Sequence, residues 1–408
     1  MKKVLLIGQL TDISGYGNAS RDYLKTLSEI DDLELKCLNF SFEKKQYSSG
    51  LVNRFSITKD LGIKSGKYSE TDMDKVLNYC DEDCEVIFFL TNDWLGFGHN
   101  HTQKSINGII NLNLICKKSK KVFPCVVWET DAVPRIWHNG YNSLDNIEKL
   151  IFACSWNKEV FSSQTKFSGI VIPYVPLITT QYDEGYYNKL ESIVEDKFSF
   201  CSVAQWSDRK GIEEMIRSFF LEFSNDDVFL ILKTYTNEAM TGVSSRDILT
   251  QKIKNIKTSI GHYATQVDFK CKVILIDDLL SKQKINSIFK VSNCYLTCTK
   301  GEGFGLPIAE FLLFNDKPVI CPSLGGHLDL CSENNFFIDS TYEPALVRGN
   351  HHYSEIEMNY VQVSINSTRK KMRQAYSTKI KKGYSNKCRE YLSEKNNVEL
   401  FKKVLEIK

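Results

Sequence analysis

Lys300-Gly301-Glu302-Gly303-Phe304-Gly305-Leu306-Pro307-Ile308-Ala309-Glu310 follows directly on the apolar run 294–297 and opens an apolar helical pattern. The order reads as a strand, a glycine loop and the start of a helix. Glycines at alternate positions let the backbone take unusual dihedrals and approach a ligand closely. Pro307 suits a first helical turn, where its missing N–H leaves nothing unpaired. Amides near Gly305 and Leu306, at the positive end of a helix dipole, would seat phosphate oxygens. Glu302 and Glu310 flank that seat and would repel a diphosphate unless they served other groups. Hydroxyls are their natural partners: a ribose for Glu310, and a hexose beyond the phosphates for Glu302. The bland alternative is a tight turn with two solvated glutamates.

Outward from this loop, short apolar runs alternate with helical patterns twice over, as βαβ units with parallel sheets do. The first series of runs is 4–8, 33–38, 86–90, 122–127, 150–154 and 170–172. The second is 198–204, 228–233, 273–276, 294–297 and 318–321, with helical stretches at 212–223, 281–289 and 308–313. A chain of 408 residues holds two such domains comfortably. The expected fold class is therefore α/β, with two Rossmann-like, doubly wound domains. Pro173-Tyr174-Val175-Pro176 discourages helix and opens a hinge. The expected division is 1–175, a hinge or linker at 176–195, 196–368, and a helical segment at 369–408 that packs back towards the first domain.

Composition narrows the function. Lys and Arg number 52 against 50 Asp and Glu, a net charge of +2, so nucleic acid is not an expected partner. No apolar run approaches the roughly 18 residues of a transmembrane helix. Residues 1–8 begin like a signal peptide, but the apolar part is too short for an h-region and reads better as a buried strand. Thirteen cysteines with no C-x-x-C pair suggest neither a disulfide framework nor a zinc site. Reduced thiols and a cytoplasmic location are the simplest expectation. Residues 369–408 carry thirteen Lys or Arg against four Glu. A solvated face is one reading of that segment, and weak peripheral attraction to an acidic membrane surface is the other.

Ala204-Gln205-Trp206-Ser207-Asp208-Arg209-Lys210-Gly211 also ends a strand run, where open α/β sheets bind ligands. Arg209 and Lys210 would neutralise a leaving diphosphate, the first by forked hydrogen bonds and the second as a point charge. Trp128-Glu129-Thr130-Asp131 ends the run 122–127 in the same way, so Glu129 and Asp131 are candidates to orient an acceptor or the transferred sugar. A solvated loop is the alternative. His351-His352 lacks carboxylate or cysteine neighbours at metal-ligand spacing, and Asp72-Met73-Asp74 sits at a helix start after Ser69, where capping explains it better than a metal does. No metal site is expected.

Glu302 and Glu310, separated by seven residues, resemble the hallmark of the retaining glycosyltransferases of family 4 (glycosyltransferase group 1). The resemblance implies the GT-B fold, with two Rossmann-like domains facing across a cleft: an N-terminal acceptor domain and a C-terminal domain for the nucleotide sugar. It implies that Glu310 holds the ribose, that Glu302 faces the sugar, and that amides along Gly303, Phe304, Gly305, Leu306 and Pro307 take the phosphates. Gly15-Tyr16-Gly17-Asn18, after the first strand, matches a glycine loop that borders the donor phosphates and acceptor in that family. Gly15 and Gly17 inherit this role, with a tight turn as the alternative. The chain departs from the family at Gln205, where an Arg is common, so Arg209 is its stand-in. It also lacks a His near Glu129, since His138 lies too far along. Ser323-Leu324-Gly325-Gly326-His327 is similar to a turn close to the family's donor site.

The implied activity is transfer of a hexose from a GDP- or UDP-sugar to a hydroxyl of a glycan or glycoconjugate, with retained configuration, no cofactor beyond the nucleotide sugar, and no obligatory metal. Glu302, Arg209, Lys210, Glu129 and Asp131 form the expected catalytic set. A GT-B nucleotide-sugar epimerase and a silent subunit of a glycosylation complex are the alternatives. A dehydrogenase is disfavoured because the first glycines lack dinucleotide spacing.

Overall fold

The computed structural model describes residues 1–41, 49–63, 69–80, 83–90, 103–105, 108–176, 179–238, 242–260, 269–345 and 357–407. His351 and His352 lie outside them. The chain divides into two compact units. One comprises Met1–Trp128, Ala132–Leu177 and Leu392–Lys408, and the other Glu129–Asp131 and Ile178–Tyr391.

In the first unit the strands are β1 (Lys2–Gly8), β2 (Leu33–Asn39), β3 (Glu85–Phe89), a small hairpin of β4 (Gln103–Ser105) and β5 (Gly108–Ile110), β6 (Lys121–Val126), β7 (Leu150–Phe152) and β8 (Gly169–Val171). Except for the hairpin they form a parallel sheet in the order β2-β1-β3-β6-β7-β8. Every residue of β3 is buried, as helices on both sheet faces require. The chain reverses its direction of strand addition between β1 and β3, so the loops after these strands open at a switch point.

The second unit repeats the plan. β9 (Ser199–Val203), β10 (Phe229–Lys233), β11 (Lys272–Ile276), β12 (Cys294–Leu296), β13 (Val319–Pro322) and β14 (Phe336–Ile338) form a parallel sheet in the order β11-β10-β9-β12-β13-β14. Its switch point falls between β9 and β12, the two strands that precede Arg209-Lys210 and the glycine loop. An antiparallel pair, β15 (Ser340–Pro344) and β16 (Asn359–Val363), follows the sheet. Phe200, Phe219, Phe223, Leu230 and Met372 share one core cluster. Each fully buried side chain of this size contributes about 1.5–3 kcal/mol.

Several expectations change. Residues 15–18 are not a loop but the first turn of the helix Gly15–Ser28, because Ser14 accepts from Gly17 N and starts the helix early. The stretch 176–195 is not all linker. Glu184–Val194 is a helix capped by Asp183, with Leu190 and Val194 buried, and Ser287 bonds the Asp183 backbone at 3.1 and 2.8 Å. Residues 369–408 are not one body. The helix Ile365–Ser377 belongs to the second unit, where Met372 is buried and Arg373 bridges Glu222 and Asp226. Leu392–Lys408 clusters with the first, where Phe401 meets Tyr23 edge-on at 5.4 Å. Ser69 and Asp72 make a reciprocal capping box, at 3.0 and 3.3 Å, which accounts for Asp72 structurally. All thirteen cysteines are buried thiols outside any disulfide. Among the described residues no helix is long and apolar enough to cross a membrane.

Candidate active site

The loop after β12 is shaped by two close approaches. Gly305 takes φ +94°, and a Cβ there would stand 2.9 Å from the Cβ of His327. A Cβ on Gly301 would stand 2.4 Å from the carbonyl oxygen of Glu129. Gly305 is the N-cap of the helix Leu306–Phe314 and offers no capping side chain, Pro307 lies in the first turn, and no acid is found there. The Ser281 and Ser364 caps of this unit fill the equivalent place on other helices. A helix N-terminus with no side-chain cap and no acid in its first turn offers amide donors and the positive dipole end to an anion.

Arg209 and Lys210 form a short 3₁₀ turn after β9, ended by Gly211 at φ +58°. A Cβ on Gly211 would lie 2.0 Å from the carbonyl oxygen of Cys298, so this turn lies against the glycine loop through bare backbone. Arg209 Nη1 donates to the carbonyl of Gly301 at 2.7 Å, and its own carbonyl accepts from Lys300 N at 2.6 Å. Lys210 Nζ reaches Glu302 Oε2 at 2.6 Å, with 17% and 16% of the two side chains exposed. The two candidate segments are thus one assembly.

Electrostatics follow from that crowding. Burial foremost, then the neighbouring Arg209 guanidinium, hold the Lys210 amine below its usual range, with Glu302 opposing both. Burial pushes the Glu302 carboxyl up, but the charges of Lys210 and Arg209 outweigh it, and the net shift is downward. Glu302 is therefore an ionised acceptor, suited to hydroxyls and poorly suited to donating a proton. Its carbonyl accepts from Gly326 N at 2.7 Å, which brings the Gly325-Gly326 turn into the site.

The other candidates are placed less uniformly. Glu129 reaches Arg209 Nη2 at 3.5 Å and groups with the second unit, as does Asp131. Asp131 accepts from Asn359 N and Nδ2 at 2.7 and 2.9 Å, a structural link to β16. Phe304 is a buried packing residue. Glu310, one turn into its helix, forms an ion pair with Lys282 of the helix Lys282–Val291. Gly15 and Gly17 lie in the first unit. A Cβ on Gly17 would stand 2.0 Å from the Asp12 carbonyl oxygen, while one on Gly15 meets nothing within 4 Å. His138 lies in the helix Arg135–Asn142 of the same unit.

Sequence reasoning missed Lys282, which carries no motif and reaches Glu310 only because two helices lie side by side. It also missed a role for His327. This ring is fully buried under Gly305, its Nε2 donates to the carbonyl of Pro322 at 2.9 Å, and burial holds it neutral.

No family model matches the chain, and no curated protein matches it. Solved structures do. A trehalose-6-phosphate structure from E. coli bound with UDP-2-fluoro glucose is 11% identical, with all of both chains covered and a TM-score of 0.60. An α,α-trehalose-phosphate synthase (UDP-forming) from Burkholderia xenovorans, in complex with glucose-6-phosphate, is 10% identical over 99% of this chain and 100% of that one, with a TM-score of 0.62. HepE of Anabaena, in complex with UDP and glucose, is 13% identical over the whole of both chains, with a TM-score of 0.55. At such identities the likeness is one of architecture: the chain has the GT-B fold, built from two parallel-sheet α/β domains.

Proposed function

We propose that this chain is a retaining glycosyltransferase of the family 4 type, moving a hexose from a UDP- or GDP-sugar to a hydroxyl of a glycan or glycoconjugate. The observation that carries the reading is the Lys210–Glu302 contact of 2.6 Å beside an uncapped helix N-terminus. It sets a cation for a departing phosphate next to a carboxylate for sugar hydroxyls. As the glycosidic bond to the diphosphate breaks, charge develops on the leaving oxygen and on the anomeric carbon. Lys210, Arg209 and the helix amides stabilise the first. Glu302 and Glu129 hold the sugar in place, Glu310 takes the ribose, and Gly15 and Gly17 keep the first turn of the first domain's helix bare for donor and acceptor. Phosphate charge is met by these cations and amides, so the mechanism requires no metal. Solved neighbours carrying UDP, UDP-glucose or glucose support a nucleotide sugar as the donor.

The test is incubation of the purified chain with UDP- and GDP-sugars and hydroxyl acceptors, reading nucleotide release and the anomeric configuration of the product. Acceptor-dependent release with retention is expected. Release of nucleotide or epimer with no acceptor present would mark an epimerase instead, and no donor bound or consumed would end the reading.

A further inference from the structure

Lys233 is the last residue of β10, in register with Val203 of β9 and Ile276 of β11 at the carboxyl edge of the second sheet. Only 9% of it is exposed. Among the described residues its Nζ makes no hydrogen bond and no ion pair, and its nearest aromatic neighbour is the Tyr235 ring at 5.7 Å. Burial holds the amine below its ordinary range, against the pull of Asp277 and Asp278. The stem is covered while the amine stays open to solvent, so a cation engaged by no described residue stands at this sheet edge for a ligand.

The surroundings restrict that ligand. Asp277 is already engaged by Arg246 at 2.7 Å, and Asp277 and Asp278 together balance Arg246 and Lys233, which leaves no excess positive charge to draw a phosphate or carboxylate. A neutral, electron-rich oxygen is what remains. Tyr235 and Leu279, 47% and 67% exposed, follow β10 and β11 and offer apolar surface to something flat. β10 stands two strands from β12, roughly 10 Å from the phosphate seat at ordinary sheet spacing, which a nucleoside can reach.

Building on the donor reading above, we propose that Lys233 reads the nucleobase, donating to the keto oxygen of uracil or guanine. Cytosine and adenine carry an amino group at that edge, so donor would face donor. Lys233 is thus a specificity-determining residue for keto-base nucleotides, away from the transferring atoms.

Calorimetric titration of the full chain with UDP, GDP, CDP, ADP and inorganic pyrophosphate tests this. The parent should bind UDP or GDP best. Lys233→Met should weaken that binding about tenfold or more, the value of a charged hydrogen bond, and erase the preference over CDP and ADP. Pyrophosphate affinity should stay within about twofold, because one charge two strands away is largely screened. Lys233→Arg should restore part of the preference. The ligand-free Lys233→Met melting temperature should equal or exceed the parent's, which separates lost recognition from lost folding. Unchanged base preference in Lys233→Met, or equal losses for UDP, GDP and pyrophosphate, would overturn the assignment. A parent that binds none of the five ligands would instead sink the donor reading itself.

Discussion

Lys210 Nζ sits 2.6 Å from Glu302 Oε2, although the two residues are separated by 92 positions in the chain. The pair joins the turn after β9 to the loop after β12 across the switch point of the second sheet, and the Lys210 charge helps hold the Glu302 carboxyl below its ordinary range against burial. Removing the amine takes away the cation that Glu302 meets and leaves a carboxylate that is only 16% exposed.

Lys210→Ala should lower kcat by about 10²–10³-fold, the range seen when one transition-state charge contact is lost. Steady-state kinetics with a saturating nucleotide sugar would check it. A residual kcat within threefold of the parent would remove Lys210 from the chemistry.

Glu302 makes acid stability a readout of the same pair. Its folded carboxyl titrates below the ordinary value of 4.5, so the folded state binds protons less readily than the unfolded chain. Its contribution is complete above about pH 4.5 and is lost as the pH falls through the depressed value. Melting temperatures from pH 7 to pH 3 should therefore fall less steeply for Glu302→Gln than for the parent. Parallel curves would show that the pair adds nothing in that window.

Glycines in the two glycine-bearing turns should separate by space. Gly211→Ala places a Cβ 2.0 Å from a backbone oxygen at φ +58°, and Gly17→Ala, at a helical φ, places one 2.0 Å from the Asp12 carbonyl oxygen. Both should destabilise by about 1–3 kcal/mol or more. Gly15→Ala, with nothing within 4 Å, should stay within about 0.5 kcal/mol. Urea unfolding of the three variants would decide.

If Glu310 takes a ribose as proposed, Lys282 competes with it through the ion pair between them. Lys282→Met should tighten UDP or GDP binding a few-fold while leaving pyrophosphate binding alone, and Glu310→Ala should weaken only the nucleosides. Titration calorimetry distinguishes these outcomes. Weaker nucleoside binding in Lys282→Met would mean that the lysine itself contacts the ligand.

Much of the architecture was legible in one dimension. Runs such as 86–90 and 228–232 are apolar throughout because a strand covered on both faces has no polar side, and β3 and β10 lie within one residue of them. β14, β15 and β16 went unread: their runs are three to five residues long and lean on exposed or mixed positions, so local pattern carries little signal. Glu184–Val194 was hidden by neighbouring prolines, which describe the chain before the helix and not the helix itself.

Chemistry carried by a contiguous segment could be read in order along the chain: the glycine loop, the Pro307 helix start, and two acids seven residues apart. Partnerships between segments could not. That Lys210 pairs with Glu302, Lys282 with Glu310, Asp131 with Asn359, and that His327 lies beneath Gly305, depends on which strands neighbour one another and how helices lie on them. Periodicity reports the face a residue shows, while parallel βαβ connections bring distant loops to one sheet edge, and only the folded backbone sets which of them meet.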